Sequence, residues 1–233
     1  MTLRLTLSNY GSSTLEIGLV IDDDGHITGW QTSGWRVGRF ARDLTAKERT
    51  ELDRALESAR AADAQAPPAE GPRSPSGSTE QLVADGLPDA TFSSNASPPP
   101  GFEELIRVLR GVRENLADSP SAAIELEVSG TPLRARLKHI GKEPIDVRGD
   151  SELRVEALIY DKDYAVLERE LHTVDAAGLD GALSDGWELE LVAGLSLPTP
   201  PRGGFLSVNA GPLRVDSIGD GVLRRAEFSW VTE

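Results

Sequence analysis

The second half of the chain, residues 121–233, constrains the fold most strongly. Short runs of alternating apolar and polar residues recur there, separated by turns such as Asp185-Gly186. A period of two is typical of β-strands with one buried face, and no long helical stripe interrupts the series. We predict strands over residues 124–128, 133–139, 153–160, 165–171, 187–192, 205–208, 213–215 and 222–231. Residues 119–233 are therefore predicted to form an all-β antiparallel sandwich.

Residues 1–118 begin with the same alternation and then change to a helical period. The runs 3–7 and 15–21 alternate, and the Asp24-Gly25 pair that follows is typical of a hairpin turn. Thr45 and Glu48 then have the spacing of a helical capping box. The apolar stripe behind that box consists of Leu52, Ala55, Leu56 and Ala59. We predict a helix over residues 46–63 that packs on an antiparallel sheet.

A second helix is predicted after the proline run 98–100. Proline is well tolerated at a helix entry, where the missing amide has no intrahelical partner. Arg110 and Arg113 lie toward the far end, where positive charge complements the helix dipole. The residues that keep helical spacing are Phe102, Leu105, Ile106, Leu109, Val112 and Leu116. With this helix, residues 1–118 are predicted to form an α+β domain, an antiparallel sheet with two helices.

The segment between the two predicted helices cannot contribute to a core. From Glu57 to Gln81 the chain has no Val, Ile, Leu, Met, Phe, Trp or Tyr, and residues 65–79 include four Pro and two Gly. Such a composition buries too little apolar surface to offset the entropy of ordering. We predict that residues 65–79 are a disordered insertion. The α+β domain continues beyond it, because residues 80–118 are too few to fold alone.

Charge and composition exclude several classes of function. The chain of 233 residues carries 24 basic and 38 acidic residues, a net charge of −14, which disfavours binding to nucleic acid. It has no Cys, which excludes disulfides and thiol nucleophiles, and only three His. The sequence contains no nucleophile elbow, zinc-protease motif, P-loop or dinucleotide-binding motif. We therefore expect a protein that is not an enzyme and that binds neither cofactor nor metal.

The N-terminus and the overall hydropathy indicate where the protein resides. The N-terminal run alternates and lacks the continuous apolar core of a signal peptide. No stretch approaches the roughly 20 apolar residues that a membrane span requires. Of the 24 basic residues 20 are Arg, a skew typical of GC-rich bacterial genomes. We expect a cytoplasmic bacterial protein with no membrane partner.

Two histidines lie where acid–base chemistry could be considered. His172 and Asp175 are close together, in a segment predicted as a loop after an edge-like strand, and could form an acid–base pair. Polar neighbours of this kind are common on surfaces, so we favour a solvated loop. His139 shares the parity of the apolar residues before it, which predicts that it points inward and finds a hydrogen-bond partner at the strand end.

One aromatic and basic segment departs from the acidic background. Residues 30–42 hold two Trp, one Phe and three Arg, with no acidic residue. Trp and Arg are enriched at the energetic centres of protein interfaces. The predicted protein-binding residues are Trp30, Trp35, Arg36, Arg39 and Phe40. An alternative stays open, in which the aromatic side chains fill one sheet face and the arginines are merely solvated; for Phe40 we favour it.

The order of elements in residues 1–117 resembles that of a known inhibitor family. Strands precede the capped helix at 44–52, a polar gap follows, and a hairpin at 81–92 leads to the proline-led helix at 98–105. This order is similar to emfourin, a small bacterial inhibitor of thermolysin-like metalloproteases. The alternating second half resembles the immunoglobulin-like sandwich of intracellular proteinase-inhibitor domains. No inhibitory residue of either family is matched here.

These observations lead to one expected function and one alternative. The resemblance implies a non-catalytic protein-binding module that inhibits, or acts as a chaperone-like partner of, a bacterial protease. The alternative is a structural or adaptor subunit of a larger bacterial assembly. An inhibitor forms a stoichiometric complex that silences a protease, whereas an adaptor leaves the activity of its partner unchanged.

Overall fold

The protein is dominated by antiparallel β-structure with two helices, as predicted. The computed structural model describes residues 2–9, 15–62, 78–94 and 96–232. The N-terminal strands are β1 (Leu3–Asn9), β2 (Glu16–Ile21), β3 (His26–Gln31), β4 (Ser33–Gly34), β5 (Arg36–Asp43), β6 (Ser78–Ala84) and β7 (Ala90–Ser93). The helices are α1 (Ala46–Ala61) and α2 (Glu103–Leu116). The remaining strands are β8 (Pro120–Ser129), β9 (Leu133–Gly141), β10 (Ile145–Tyr160), β11 (Val166–Asp175), β12 (Asp180–Leu183), β13 (Glu188–Leu195), β14 (Phe205–Val215) and β15 (Arg224–Val231).

The chain divides into two compact units. Unit 1 comprises residues 1–31 and 39–120, and unit 2 comprises residues 32–38 and 121–233. The sequence placed a boundary after residue 118, whereas this division falls after Pro120. The membership of residues 32–38 in unit 2 was not predicted. Strand order depends on pairings between distant parts of the chain, which local alternation does not reveal.

Unit 1 contains a sheet with strand order β5-β3-β2-β1-β6-β7 and both helices. The helices pack against each other, and every residue of the two predicted apolar stripes is buried. Leu116 of α2 lies directly against Gly29 of β3. A side chain at position 29 would collide with Leu116. The close approach of helix and sheet therefore requires glycine there.

The predicted disordered insertion overlaps a strand at its end. Residues 65–77 lie outside the described residues. Ser78 and Thr79 belong to β6, in which Thr79 pairs with Ser8 of β1 and with Ser93 of β7. For these two residues the prediction is wrong, because cross-strand pairing orders them despite their polar composition.

The predicted capping box is confirmed at the start of α1. The Thr45 hydroxyl accepts a hydrogen bond of 3.2 Å from the backbone amide of Glu48. In return, the Glu48 carboxylate accepts one of 2.9 Å from the backbone amide of Thr45. Arg42 adds two hydrogen bonds of 2.7 Å to the same carboxylate. The bond from Arg42, with help from Thr45, lowers the pKa of Glu48 from 4.5 to about 2, against the opposing effect of burial.

This depressed pKa predicts a defined loss of stability in acid. The charged carboxylate stabilises the folded state above pH 4.5, and the contribution is lost as the pH falls toward about 2. Glu48→Gln is expected to lower the free energy of unfolding near neutral pH by about 1–2 kcal/mol and to flatten its decline in acid. Urea titrations at a series of pH values measure both effects. Glu57→Gln, on an exposed part of the same helix, is the control, and an identical pH profile for the two variants would contradict the prediction.

Unit 2 contains two sheets around one hydrophobic core. One sheet has the order β13-β9-β8-β5 and the other β11-β10-β14-β15-β4, with β12 paired to β10. Buried residues of both sheets belong to a single cluster, including Ile124 and Leu137 from the first and Val155, Val208 and Phe228 from the second. Two sheets packed face to face over a shared core form a sandwich-like arrangement.

Most strands of unit 2 are longer than predicted, and one was missed. The predicted strands 205–208 and 213–215 form the single strand β14, with a register shift between Ala210 and Leu213. Strand β10 begins at Ile145 and has a shift between Gly149 and Arg154. These irregularities interrupt the alternation, so the sequence pattern divides or shortens the strands. Strand β12 was missed because its four residues are nearly all exposed.

Candidate protein-binding site

Trp35 is an exposed aromatic side chain held in a fixed setting in unit 2. It lies between β4 and β5, and 39% of its surface is accessible. Its carbonyl accepts the amide of Leu126 in β8 at 2.7 Å, which fixes the backbone. The guanidinium of Arg36 lies over the indole, 3.8 Å from the ring centroid. A cation at this distance is attracted by the face of the ring, so the indole is positioned before any partner binds.

Arg36 is in turn held by a chain of charged residues on neighbouring strands. Its Nε donates to the carboxylate of Glu125 at 2.7 Å, and the ammonium of Lys138 lies 2.9 Å from the same carboxylate. Lys138 also contacts Glu127 at 3.1 Å. Charges of opposite sign therefore alternate from β5 through β8 to β9. Cross-strand pairs of this kind stabilise the sheet.

The pKa values of this cluster reflect its hydrogen bonding. Burial raises the pKa of Glu125, but hydrogen bonds from Lys138 and Arg36 outweigh burial, and the net result is a lowered pKa. The hydrogen bond to Glu125 raises the pKa of Lys138 above its ordinary value. These groups are ionised at neutral pH. The local sequence around Arg36 contains no acid to balance its charge. In the structure Glu125, 89 residues away in the chain, neutralises it.

Trp30 is part of the interior of unit 1 and cannot be an exposed anchor. Only 6% of its surface is accessible, and its indole packs over Gly18 of β2, where a side chain would collide with the ring. Its Nε1 donates to the carboxylate of Glu16 at 3.2 Å, and the guanidinium of Arg4 lies 5.3 Å from its ring centroid. Trp30 therefore has little surface left to offer a partner, since its area is already used in folding.

Phe40 is buried as well, and the five predicted residues do not form one surface within a unit. Phe40 retains 3% of its accessible surface, in agreement with the alternative favoured for it. Arg39 is half-buried and, like Phe40 and Trp30, belongs to unit 1. The structure brings together Trp35 and Arg36, both in unit 2. The sequence could not separate these groups, because the break between β4 and β5 resets the alternation.

A groove on the outer face of the second sheet of unit 2 was missed by sequence reasoning. Its volume is about 740 Å³. The lining includes Arg154, Glu156, Arg169, Leu171, Asn209 and Glu227. Small ligands usually bind in enclosed, mostly apolar pockets. A sheet face that carries arginines, acids and a leucine is better suited to contact a polypeptide segment. No local sequence pattern marked this groove, because its lining comes from strands that are distant in the chain.

The residues considered for acid–base chemistry do not form a pair. His172 and Asp175 both belong to β11 rather than to a loop, and three residues along a strand place their side chains on opposite faces. The Asp175 carboxylate accepts the amide of Ala177 at 3.0 Å. Within the described residues, Nε2 of His172 is buried without a hydrogen-bond partner. Because His172 and Asp175 belong to strand β11, the prediction that they lie in a loop is wrong.

His139 points inward as predicted, but only one ring nitrogen is satisfied. Its side chain is buried, and Nε2 lies 2.9 Å from the carbonyl oxygen of Glu143. Nδ1 has no partner among the described residues. In that same part of the chain no group of three or more His, Asp or Glu is arranged to hold a metal ion. Neither α1 nor α2 is long and apolar enough to cross a membrane, and no other described helix is.

Comparison with known proteins adds no assignment to this geometry. No protein-family model matches the chain, and neither a curated protein nor a solved structure matches it significantly.

Proposed function

We propose that this chain is a non-catalytic protein-binding module in which Trp35 is the anchor. The observation that supports it is an exposed indole fixed by a stacked arginine, whose own charge is held by Glu125 and Lys138. An aromatic side chain that is ordered before binding contributes contact area at low entropic cost. We also propose that units 1 and 2 correspond to two domains, since each has its own set of buried apolar residues.

The partner proposed first is a protease of the thermolysin type. The element order of residues 1–117 supports this choice through its resemblance to emfourin, and the acidic chain, with a net charge of −14, suits a partner with a basic surface. Arg36 is not an independent contact in this proposal. It positions Trp35, because its guanidinium is shared between the indole and Glu125.

Titration of thermolysin with the full-length protein tests this function. We expect a stoichiometric complex on size-exclusion chromatography and loss of peptidase activity at equimolar protein. Trp35→Ala is expected to weaken the complex by about 2 kcal/mol, roughly a 30-fold rise in Kd. Val222→Ala, which removes an exposed apolar side chain elsewhere in unit 2, is the matched control. Absence of a complex would reject the protease as partner.

The second candidate is an adaptor subunit, and the groove on the other sheet of unit 2 favours it. An adaptor needs two binding surfaces, and the groove is lined by residues distinct from Trp35 and Arg36. In the same titration an adaptor forms a complex while the peptidase activity stays unchanged. Activity and complex formation measured together therefore distinguish the two functions.

A further inference from the structure

The exposed apolar side chains of this protein are concentrated at β11. Seven large apolar residues are exposed among the described residues, and four of them lie in β11 or directly before it. Tyr164 is 76% accessible, and Val166, Leu167 and Leu171 are each more than half accessible. Clustered apolar exposure of this kind marks interaction surfaces more often than single exposed residues do.

Strand β11 also has a free edge. It is the end strand of its sheet and pairs with β10 alone among the described strands. From Glu168 to Asp175 its register is regular, and the only shift lies at the Tyr160 end. Edge strands are usually short or blocked by proline or lysine. Strand β11 has ten residues and contains neither. Strand β13 lies near part of β11, but among the described strands β10 alone forms a ladder with it, so the other edge of β11 has no strand paired to it.

The charges of β11 indicate what kind of strand would pair there. Arg169 is neutralised by Glu156 of β10, with 2.6 Å between Nε and the carboxylate. Glu168 and Glu170 share the opposite face and form no ion pair with a described residue. The edge thus presents two unpaired acids on one face. On the other face Leu171 lies at the margin of the groove.

A second copy of the chain is a poor occupant of this edge. Each chain carries a net charge of −14, so association of two copies is opposed by long-range repulsion. Inward-facing acids on an edge strand are a recognised protection against self-pairing. The same acids attract a segment of opposite charge, because cross-strand pairs of unlike charge are stabilising.

We propose that β11 accepts an extended segment of a partner protein as an additional strand of the sheet. The segment carries Lys or Arg at the alternate positions that face Glu168 and Glu170, and apolar side chains at the intervening positions beside Leu171. Main-chain hydrogen bonds along the free edge supply affinity, and the alternating side chains supply specificity. This site is separate from Trp35 and extends the proposed function to the chemistry of a second partner segment.

A synthetic peptide of alternating Val and Lys is the probe. Its affinity for the full-length protein is measured by fluorescence anisotropy, beside a peptide of the same composition with Val and Lys in separate blocks. We expect the alternating peptide to bind at least tenfold more tightly. An alternating Val/Lys peptide N-methylated on every residue, which blocks both edges of the peptide strand, is expected not to bind, because the methyl groups remove the hydrogen bonds of an added strand.

Charge-reversal variants assign the binding to β11. Glu168→Lys/Glu170→Lys is expected to weaken binding of the Val/Lys peptide at least tenfold and to gain affinity for an alternating Val/Glu peptide. Glu57→Lys/Glu114→Lys changes the net charge equally on the helices of unit 1 and is expected to bind as the wild type does. Trp35→Ala is expected to bind the peptide normally, so failure of this proposal and failure of the proposed function are distinguishable.

Three results would overturn the proposal. Equal losses in the two charge-reversal variants would show that general electrostatic attraction accounts for binding. Undiminished binding of the N-methylated peptide would exclude strand addition. A wild-type dimer in sedimentation experiments that the Glu168→Lys/Glu170→Lys variant no longer forms would show that a second copy occupies the edge.

Discussion

Trp30→Ala is expected to lower the free energy of unfolding by about 3–5 kcal/mol, whereas Trp35→Ala is expected to lower it by less than about 1 kcal/mol. The two residues are five positions apart but have different surroundings. Trp30 is 6% accessible and its ring fills the space above Gly18, so its removal leaves a cavity that the glycine cannot fill. Trp35 is 39% accessible and loses mainly its contact with Arg36.

Urea unfolding of both variants, followed by circular dichroism, measures this difference. Trp30→Phe, which keeps an aromatic ring over Gly18, is the matched control and is expected to recover part of the loss. Similar losses for Trp30→Ala and Trp35→Ala would contradict the assignment of Trp35 as a binding anchor. In that case any effect of Trp35→Ala on partner binding would follow from unfolding.

The elements that sequence predicted well are those specified by local chemistry. The capping box at Thr45 and Glu48 depends on residues three apart, and it forms as expected. Helix α2 is confirmed, because five of the six predicted apolar residues lie in it at helical spacing and the sixth, Phe102, is its N-cap. Alternation likewise identified most strands of unit 2. These signals are local, and the structure needs no distant partner to realise them.

The candidate site could be predicted only in part, because its geometry comes from distant pairings. The sequence selected Trp35 and Arg36 by residue type, but it could not show that Glu125 neutralises Arg36. It described strand 165–171 as edge-like, and β11 is the end strand of its sheet. Which strand lies at an edge depends on the pairing of the whole sheet. The local pattern therefore indicated an edge strand but not that β10 is its neighbour.

Glu80→Ala is expected to lower the free energy of unfolding by about 3–5 kcal/mol, because it breaks a buried ion-pair triad. The Glu80 side chain is 1% accessible in β6. Arg110 donates to its carboxylate at 2.6 and 2.9 Å, and Arg113 donates at 3.0 Å. The sequence explained both arginines only by the dipole of α2. Their main role in the structure is to compensate a carboxylate that burial would otherwise disfavour.

A triple variant tests whether the cost of Glu80→Ala arises from the uncompensated arginines. Glu80→Leu/Arg110→Leu/Arg113→Leu removes all three charges, and its free energy of unfolding is expected to lie within about 1 kcal/mol of the wild type, since apolar replacement of a whole buried triad is often neutral. Glu114→Ala, an exposed acid on the same helix, is the control and is expected to change stability by less than about 0.5 kcal/mol. If the triple variant is less stable than Glu80→Ala, the triad itself stabilises the packing of α2 on β6. The loss of stability in Glu80→Ala would then measure what the ion pairs contribute. It would not measure the cost of leaving Arg113, whose side chain is only 14% accessible, without its partner.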